Sequence, residues 1–235
     1  IGETIDQIYI ERVKNLAFRK ELIKQVGEDL QIVYTPLHGT GTMPVQRVLR
    51  ELGFQNVTIV PEQAKPDPDF STVRSPNPED PEAFELALKL AEEVDADIVI
   101  ATDPDCDRVG AFVWDKEGRP RLLTGNQTGA LLMDYILSTM QEQKMLPKNG
   151  AVIKTIVTSE LGAEIAQHYG VDILNTLTGF KFIAEKMKEF EETGEKQFLF
   201  GYEESYGYLA GTFVRDKDAV IATMLICEMA AYYRS

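Results

Sequence analysis

The sequence predicts an α/β protein: two consecutive α/β domains, each a mixed, mostly parallel sheet covered by helices. Three observations predict this. Short β-branched runs alternate with helical stretches, the pattern of a parallel sheet with crossover helices. Two adjacent strand patterns around Lys116-Glu117-Gly118 read as a hairpin, which adds antiparallel strands to the first sheet. A second strand-and-helix cycle then starts near Asn126, so the domains are expected at 1–125 and 126–235.

The elements follow in order. Glu3 to Gln25 is rich in Glu, Lys, Arg and Leu and predicts one helix. Gln31-Ile-Val-Tyr-Thr35 predicts a strand, Pro36 to Thr42 a Gly-rich turn, and Pro44 to Leu52 a helix with proline in its first turn. Asn56 to Val60 predicts a strand, and the Pro- and Asp-dense stretch Pro61 to Pro81 a long loop. Glu82 to Glu93 predicts a helix and Asp97 to Ala101 a buried strand, followed by the hairpin Val109 to Trp114 and Arg121 to Thr124. In the second cycle, helices are expected at Thr128 to Gln143, Ser159 to Tyr169, Thr178 to Glu191 and Asp216 to Tyr233. Strands are expected at Ala151 to Thr155, Val171 to Asn175 and Gln197 to Gly201.

The formal net charge of -14 sets the chain against nucleic acid as a partner, because a phosphate backbone would be repelled. A small anion is not excluded, since a few Lys and Arg can reverse the field locally. The two cysteines, Cys106 and Cys227, form no disulfide framework; this points to a reducing compartment and a cytoplasmic location. No apolar run reaches membrane-spanning length and no signal peptide is visible. Ile1 stands inside a predicted helix and Ser235 directly after an apolar one, so both ends read as cuts in a longer chain.

The sharpest chemical feature is Ala101-Thr-Asp-Pro-Asp-Cys-Asp-Arg-Val-Gly110. In an extended loop, alternate side chains share one side, which would gather Asp103, Asp105 and Asp107. Three carboxylates so placed repel one another unless a cation neutralises them. Oxygen donors without His or Cys favour Mg²⁺ or Ca²⁺. An EF-hand counted from Asp103 fails, because Arg108 and Trp114 stand where Gly and Glu are required. The loop follows a buried-looking strand, where ligands of α/β sheets gather. A solvated acidic loop is the plain alternative.

This segment resembles the metal loop of the α-D-phosphohexomutases, the phosphoglucomutase/phosphomannomutase family, which reads Asp-Gly-Asp-Gly-Asp-Arg or a variant with Pro and Ala. The resemblance implies that Asp103, Asp105 and Asp107 hold Mg²⁺ together with a phosphoserine oxygen, and that Arg108 reaches the substrate. Cys106 departs from the usual Gly or Ala but is small enough to fit.

Gly201-Tyr-Glu-Glu-Ser-Tyr-Gly207 sets a carboxylate and a hydroxyl two residues apart, at Glu203 and Ser205. That pairing suits vicinal sugar hydroxyls, though chemistry alone leaves an ordinary polar turn equally open. The segment resembles the family's sugar-binding loop, which implies that Glu203 and Ser205 grip adjacent hydroxyls and that Glu204 does not touch sugar. Thr178-Gly179-Phe180-Lys181 resembles the family's Thr-Gly-aromatic-Lys turn, implying sugar contacts at these four residues, and Phe180 is similar to glucose-preferring members. By the same resemblance Lys154 and Lys217, the latter in Arg215-Asp-Lys-Asp218, are candidate catalytic or phosphate-contacting residues. Each lysine by itself is more often a solvated surface charge.

Thr35-Pro-Leu-His-Gly-Thr-Gly41 resembles a signature of the family's second domain; its glycines could present backbone N–H groups to an anion, but the loop reads mainly as a domain-packing turn near the cleft, with a structural role for His38. Pro76-Asn-Pro-Glu79 also matches the family. The whole resemblance implies central domains two and three of a mutase that interconverts sugar 1-phosphate and sugar 6-phosphate, most readily for glucose. It implies a phosphoserine and glucose 1,6-bisphosphate as intermediate. The family's Thr-Ala-Ser-His-Asn-Pro-like serine loop and its Arg-x-Ser-Gly-Thr-Glu-Pro-like phosphate clamp do not occur among these residues. The chain alone is therefore expected to be inactive and to depend on further domains of a parent chain. A phosphopentomutase-type member, a haloacid-dehalogenase-like phosphatase with Asp105 as nucleophile, and a non-catalytic sugar-phosphate module remain as alternatives.

Overall fold

The computed structural model describes residues 2–235. It divides the chain into two units, the first ending at Leu123 and rejoined by Ala219–Ser235, the second Thr124–Asp218.

In the first unit, strands β1 (Ile32–Thr35), β2 (Val57–Ile59), β3 (Ile98–Thr102), β4 (Val109–Trp114) and β5 (Pro120–Leu122) form one sheet in the order β2-β1-β3-β4-β5. β1 runs parallel to β2 and β3, while β4 and β5 add the antiparallel hairpin. Helix α4 (Glu85–Val94) covers one face, where Phe84, Ala87 and Ala91 pack on Val33, Val99, Ala101 and Phe112. The period of two turns Ile32, Tyr34, Ile98 and Ile100 to the other face, and all four are buried. Helices α1 (Glu3–Lys14), α2 (Lys20–Val26), α3 (Thr42–Leu52) and α8 (Ala219–Arg234) pack together, and α8 reaches β3 and β4.

One expectation changes here. The single helix over Glu3 to Gln25 is two, because the chain turns at Asn15, where Leu16 and Ala17 donate their backbone N–H groups to Val13 and Lys14. Asn competes for backbone hydrogen bonds and ends helices readily. Ile1, read as lying within that helix, falls outside the described residues. The last helix, α8, packs with the first unit although it follows the second in sequence. From Ala219 to Met229 every residue of α8 is buried, and a helix apolar nearly all round needs partners on every side. α1, α2, α3 and the sheet supply them.

In the second unit, β6 (Gly150–Thr155), β7 (Asp172–Thr176), β8 (Gln197–Tyr202) and β9 (Tyr208–Ala210) form a sheet in the order β7-β6-β8-β9. β6 is parallel to β7 and β8, and β9 is antiparallel to β8. Helices α5 (Gly125–Glu142), α6 (Leu161–His168) and α7 (Phe180–Thr193) complete the unit. Thr124 and Gln127 form a capping box at the start of α5, three residues earlier than periodicity alone predicts. β9 is an addition to the expected elements; three residues, Tyr-Leu-Ala, carry no readable alternation. Each sheet is mixed and mostly parallel about its first strands, as the sequence predicts.

Among the described residues no helix is long and apolar enough to cross a membrane.

Candidate functional site

The acidic loop leaves the carboxyl end of β3 and returns into β4. Asp103 organises it. Its Oδ1 accepts the backbone N–H groups of Asp107 (3.0 Å) and Arg108 (2.9 Å), and its Oδ2 accepts Arg108 Nε (2.9 Å). The loop closes on itself through Cys106 N to Asp103 O and Asp103 N to Arg108 O. Cys106 takes φ 62, a left-handed conformation that suits Gly better than a residue with a Cβ.

Asp103, Asp105 and Asp107 each bring a carboxylate oxygen within 4.8 Å of the others. Oxygens so grouped can meet around one hard cation, whose ligand distances are about 2.0–2.6 Å. The donor set therefore fits Mg²⁺ or Ca²⁺. Burial pushes the Asp103 carboxyl up to about 6, against the opposing pull of hydrogen bonds from Arg108; the neighbouring Asp107 charge adds to the rise. Asp103 is buried, Asp107 half-buried and Asp105 exposed, so the group opens outward from an anchored base.

Arg108 is fixed from two sides. Nε holds Asp103, while Nη1 donates to Glu79 Oε1 (2.9 Å) and Asn77 Oδ1 (3.2 Å). Asn77 in turn accepts the Glu79 backbone N–H, which shapes the turn that presents Glu79. The Pro76-Asn-Pro-Glu79 segment thus acquires a task that sequence reasoning missed. Its signal was a carboxylate and an amide spaced by proline, a rigid way to present two acceptors.

The Gly-rich loop after β1 packs on this acidic loop. A Cβ on Gly39 would lie 2.4 Å from Pro104 Cα, and one on Gly41 2.3 Å from Tyr34 Oη and 2.9 Å from Cys106 Sγ. Thr40 N donates to Pro104 O at 2.8 Å. His38 is buried, with Nδ1 3.1 Å from Lys65 O and Nε2 2.7 Å from Thr72 Oγ1, so it pins the long 61–81 loop. These contacts hold the turn and His38 against the acidic loop and the 61–81 loop of the same unit.

In the second unit, the loop Glu203–Gly207 joins β8 to β9, the same place in its sheet that the acidic loop holds between β3 and β4. Tyr206 takes φ 65, and Glu203 N closes the loop on Gly207 O. Glu203 is 6% exposed, and its Oε1 accepts the backbone N–H of Gly179 at 2.8 Å. Two segments 24 residues apart, the Thr178-Gly179 turn and the Glu203 loop, are thereby joined. Burial raises the Glu203 carboxyl above its ordinary value; the Gly179 hydrogen bond and the Lys217 charge oppose the shift. The Lys217 stem lies against Gly207, where a Cβ would come within 2.5 Å of Lys217 Cδ. Glu203, Gly179, Gly207 and Lys217 are therefore one cluster. Ser205 is half-buried beside it, and Thr178 and Lys181 are exposed.

Two expected contact residues sit differently. Phe180 is 4% exposed and lies on the buried stripe of α7 with Ile183, Met187 and Phe190, so its ring packs the core. Lys154 is 0% exposed and is no solvated surface charge. Its Nζ donates to Thr158 O (3.2 Å) and Glu160 Oε1 (3.0 Å), with Thr155 O at 3.5 Å, so its ammonium is turned into the turn after β6.

Two layered α/β units, each with a polar loop at the carboxyl end of its third strand, define a class of protein that binds its ligands at strand ends. The phosphoglucomutase/phosphomannomutase α/β/α domain II model matches residues 7–117, and the domain III model matches 124–235; the chain belongs to this family. It is 43% identical to a phosphoglucomutase of Staphylococcus haemolyticus over its whole length, spanning 41% of that relative. In fold it is similar to a Thermus thermophilus protein assigned as a phosphomannomutase, with TM-score 0.77, 23% identity, and coverage of 98% of this chain and 48% of that one. It also resembles Aspergillus fumigatus N-acetylphosphoglucosamine mutase, solved with GlcNAc-6P and magnesium, with TM-score 0.63, 15% identity, and coverage of 98% and 48%. The chain spans less than half the length of these relatives.

Proposed function

We propose that this chain forms the metal-holding and sugar-holding portions of a phosphohexomutase that interconverts sugar 1-phosphate and sugar 6-phosphate, with glucose the favoured sugar. The observation that carries the reading is the convergence of the Asp103, Asp105 and Asp107 oxygens at the end of β3, beside an arginine fixed by Asn77 and Glu79.

In this reading Asp103, Asp105 and Asp107 hold Mg²⁺, which when bound supplies charge compensation at a transferring phosphoryl group. Arg108 keeps a guanidinium directed beside the carboxylates and contacts phosphate. Glu203, held ionisable by Gly179 and Lys217, accepts hydrogen bonds from a sugar hydroxyl, and Ser205 pairs with the adjacent hydroxyl. Thr178, Gly179 and Lys181 border that sugar. Lys217 is the candidate for moving the hydroxyl proton or contacting phosphate. The phosphorylated serine and the clamp for the distal phosphate belong to other parts of the full-length protein. The bisphosphate intermediate is glucose 1,6-bisphosphate. Such an enzyme serves carbohydrate metabolism, and a cytoplasmic location goes with that role. Relatives whose names specify phosphoglucomutase, and a fold neighbour solved with a sugar phosphate and magnesium, support the reading.

The test is Asp107→Asn in the full-length protein, assayed with glucose 1-phosphate, Mg²⁺ and catalytic glucose 1,6-bisphosphate. Turnover should fall at least 100-fold, since one electrostatic stabiliser at a transition state is worth about 10²–10³ in rate. Unchanged turnover and unchanged Mg²⁺ dependence would remove the metal-loop assignment.

A further inference from the structure

We infer that Thr155 and Glu204 form a positioning pair that sets the sugar loop, so that the residue between Glu203 and Ser205 governs substrate affinity without touching substrate. The inference rests on the proposed sugar site and deepens it.

Glu204 is the middle residue of Glu203-Glu-Ser205 and lies in the turn that joins β8 to β9. With Glu203 turned to Gly179, Glu204 is turned elsewhere, and its Oε2 accepts the Thr155 hydroxyl at 3.0 Å. Thr155 is 0% exposed at the carboxyl end of β6, the strand beside β8. Its hydroxyl is therefore a fixed post. The bond joins a hydroxyl donor to a carboxylate acceptor, and at 3.0 Å it lies at the long end of the O–H···O range.

The post is itself braced. Thr155 O and Thr158 O face the Lys154 ammonium, and Thr158 Oγ1 donates back to Thr155 O. The inward-turned lysine thus holds the turn that carries Thr155, and Glu160 completes its charge pairing from the far side. On the other flank of the loop, the first residue of α5 meets the backbone of Glu204. A Cβ on Gly125 would stand 1.8 Å from Glu204 O, so only Gly lets the helix start abut the loop. Glu204 is tied by its side chain to β6, and its carbonyl abuts the start of α5. Glu203 and Ser205 hang on either side of that tie, which fixes the spacing at which a carboxylate and a hydroxyl are offered to a sugar. A misplacement of about 1 Å at a positioning residue can cost about 100-fold in rate.

The experiment uses the full-length protein and sugar-phosphate kinetics. Thr155→Val keeps the shape and removes the hydroxyl; Thr155→Ser keeps the hydroxyl. Glu204→Ala removes the acceptor; Glu204→Gln keeps one. Thr155→Val and Glu204→Ala should each raise KM for the sugar phosphate at least fivefold, while the Mg²⁺ concentration for half-maximal activity, set in the other unit, stays unchanged. Thr155→Ser and Glu204→Gln should recover most of that loss, and the Thr155→Val/Glu204→Ala double variant should be no worse than the worse single. Equal KM for Thr155→Val and Thr155→Ser, or multiplicative effects in the double variant, would overturn the pairing. A matching fall in thermal stability and in Mg²⁺ response would also overturn it, by showing a merely structural role. If the wild-type protein shows no mutase activity, the proposed function fails. If it is active and Glu203→Gln impairs it while Thr155→Val does not, only the positioning inference fails.

Discussion

Gly39→Ala is the substitution through which the tie between the Gly-rich loop and the metal loop can be measured. The new Cβ would stand 2.4, 2.5 and 2.7 Å from Cα, O and C of Pro104, where ordinary contact is 3.4–4 Å. All three atoms are backbone, so no side-chain rotation relieves the clash, and the loops must separate by roughly 1 Å. Such overpacking costs about 1–3 kcal/mol, or roughly 2–12 °C in Tm for a body of this size. The separation also stretches the 2.8 Å bond from Thr40 N to Pro104 O. Pro104 lies between Asp103 and Asp105, so the displacement passes directly into the proposed metal ligands, where metal sites tolerate only about 0.2 Å. Differential scanning calorimetry on this chain should show a lowered Tm for the unit that holds Gly39. Mg²⁺ titration of the full-length protein should show at least a tenfold higher requirement. Wild-type Tm together with wild-type Mg²⁺ dependence would refute the claim that this packing shapes the metal loop.

Glu203→Gln should make this chain more stable at neutral pH, because burial raises that carboxyl and its ionisation opposes folding. For a raised carboxyl the contribution to stability is present at low pH and lost as pH rises through the folded value. The melting advantage of Glu203→Gln should therefore shrink as pH falls below the ordinary carboxylate range, as thermal melts at pH 7 and pH 4 would show; an equal difference at both would contradict it. In the full-length protein the same variant, like Ser205→Ala, should weaken sugar recognition by about 1–3 kcal/mol, read as kcat/KM across sugar phosphates. Glu79→Gln should lower kcat/KM severalfold, since Arg108 keeps Asp103 but its half-exposed second partner loses its charge, a change worth up to about 1 kcal/mol; wild-type kinetics would show that Glu79 does not position Arg108.

The acidic loop was legible because its chemistry is local: alternating aspartates directly after a β-branched strand need no tertiary information. The same holds for the parallel parts of both mixed sheets, whose strands and crossover helices announce themselves by period. What escaped was set by contacts distant in sequence. Lys154 reads as a surface charge until the turn at Thr155 and Thr158 folds around its ammonium and supplies carbonyl acceptors. The tie from Thr155 to Glu204 spans 49 residues, and that from Arg108 to Glu79 spans 29, so neither leaves a local pattern. α8 follows the second unit in sequence but finds its apolar partners in the first. Phe180 is a different case. Its spacing with Ile183, Met187 and Phe190 places it on a core stripe, and that periodicity was readable beside the motif it completes.

The central claim is that these residues hold the metal and the sugar for a phosphoryl shuttle whose serine lies elsewhere in the full-length protein. A coupled assay with glucose 1-phosphate, Mg²⁺ and catalytic glucose 1,6-bisphosphate tests it most directly, run on the full-length protein, its Asp107→Asn variant and this chain alone. The account predicts glucose 6-phosphate formation by the full-length protein, at least a 100-fold loss in the variant, and no turnover by the chain alone. Turnover by the isolated chain at a rate comparable to the full-length protein, or an unimpaired variant, would contradict it.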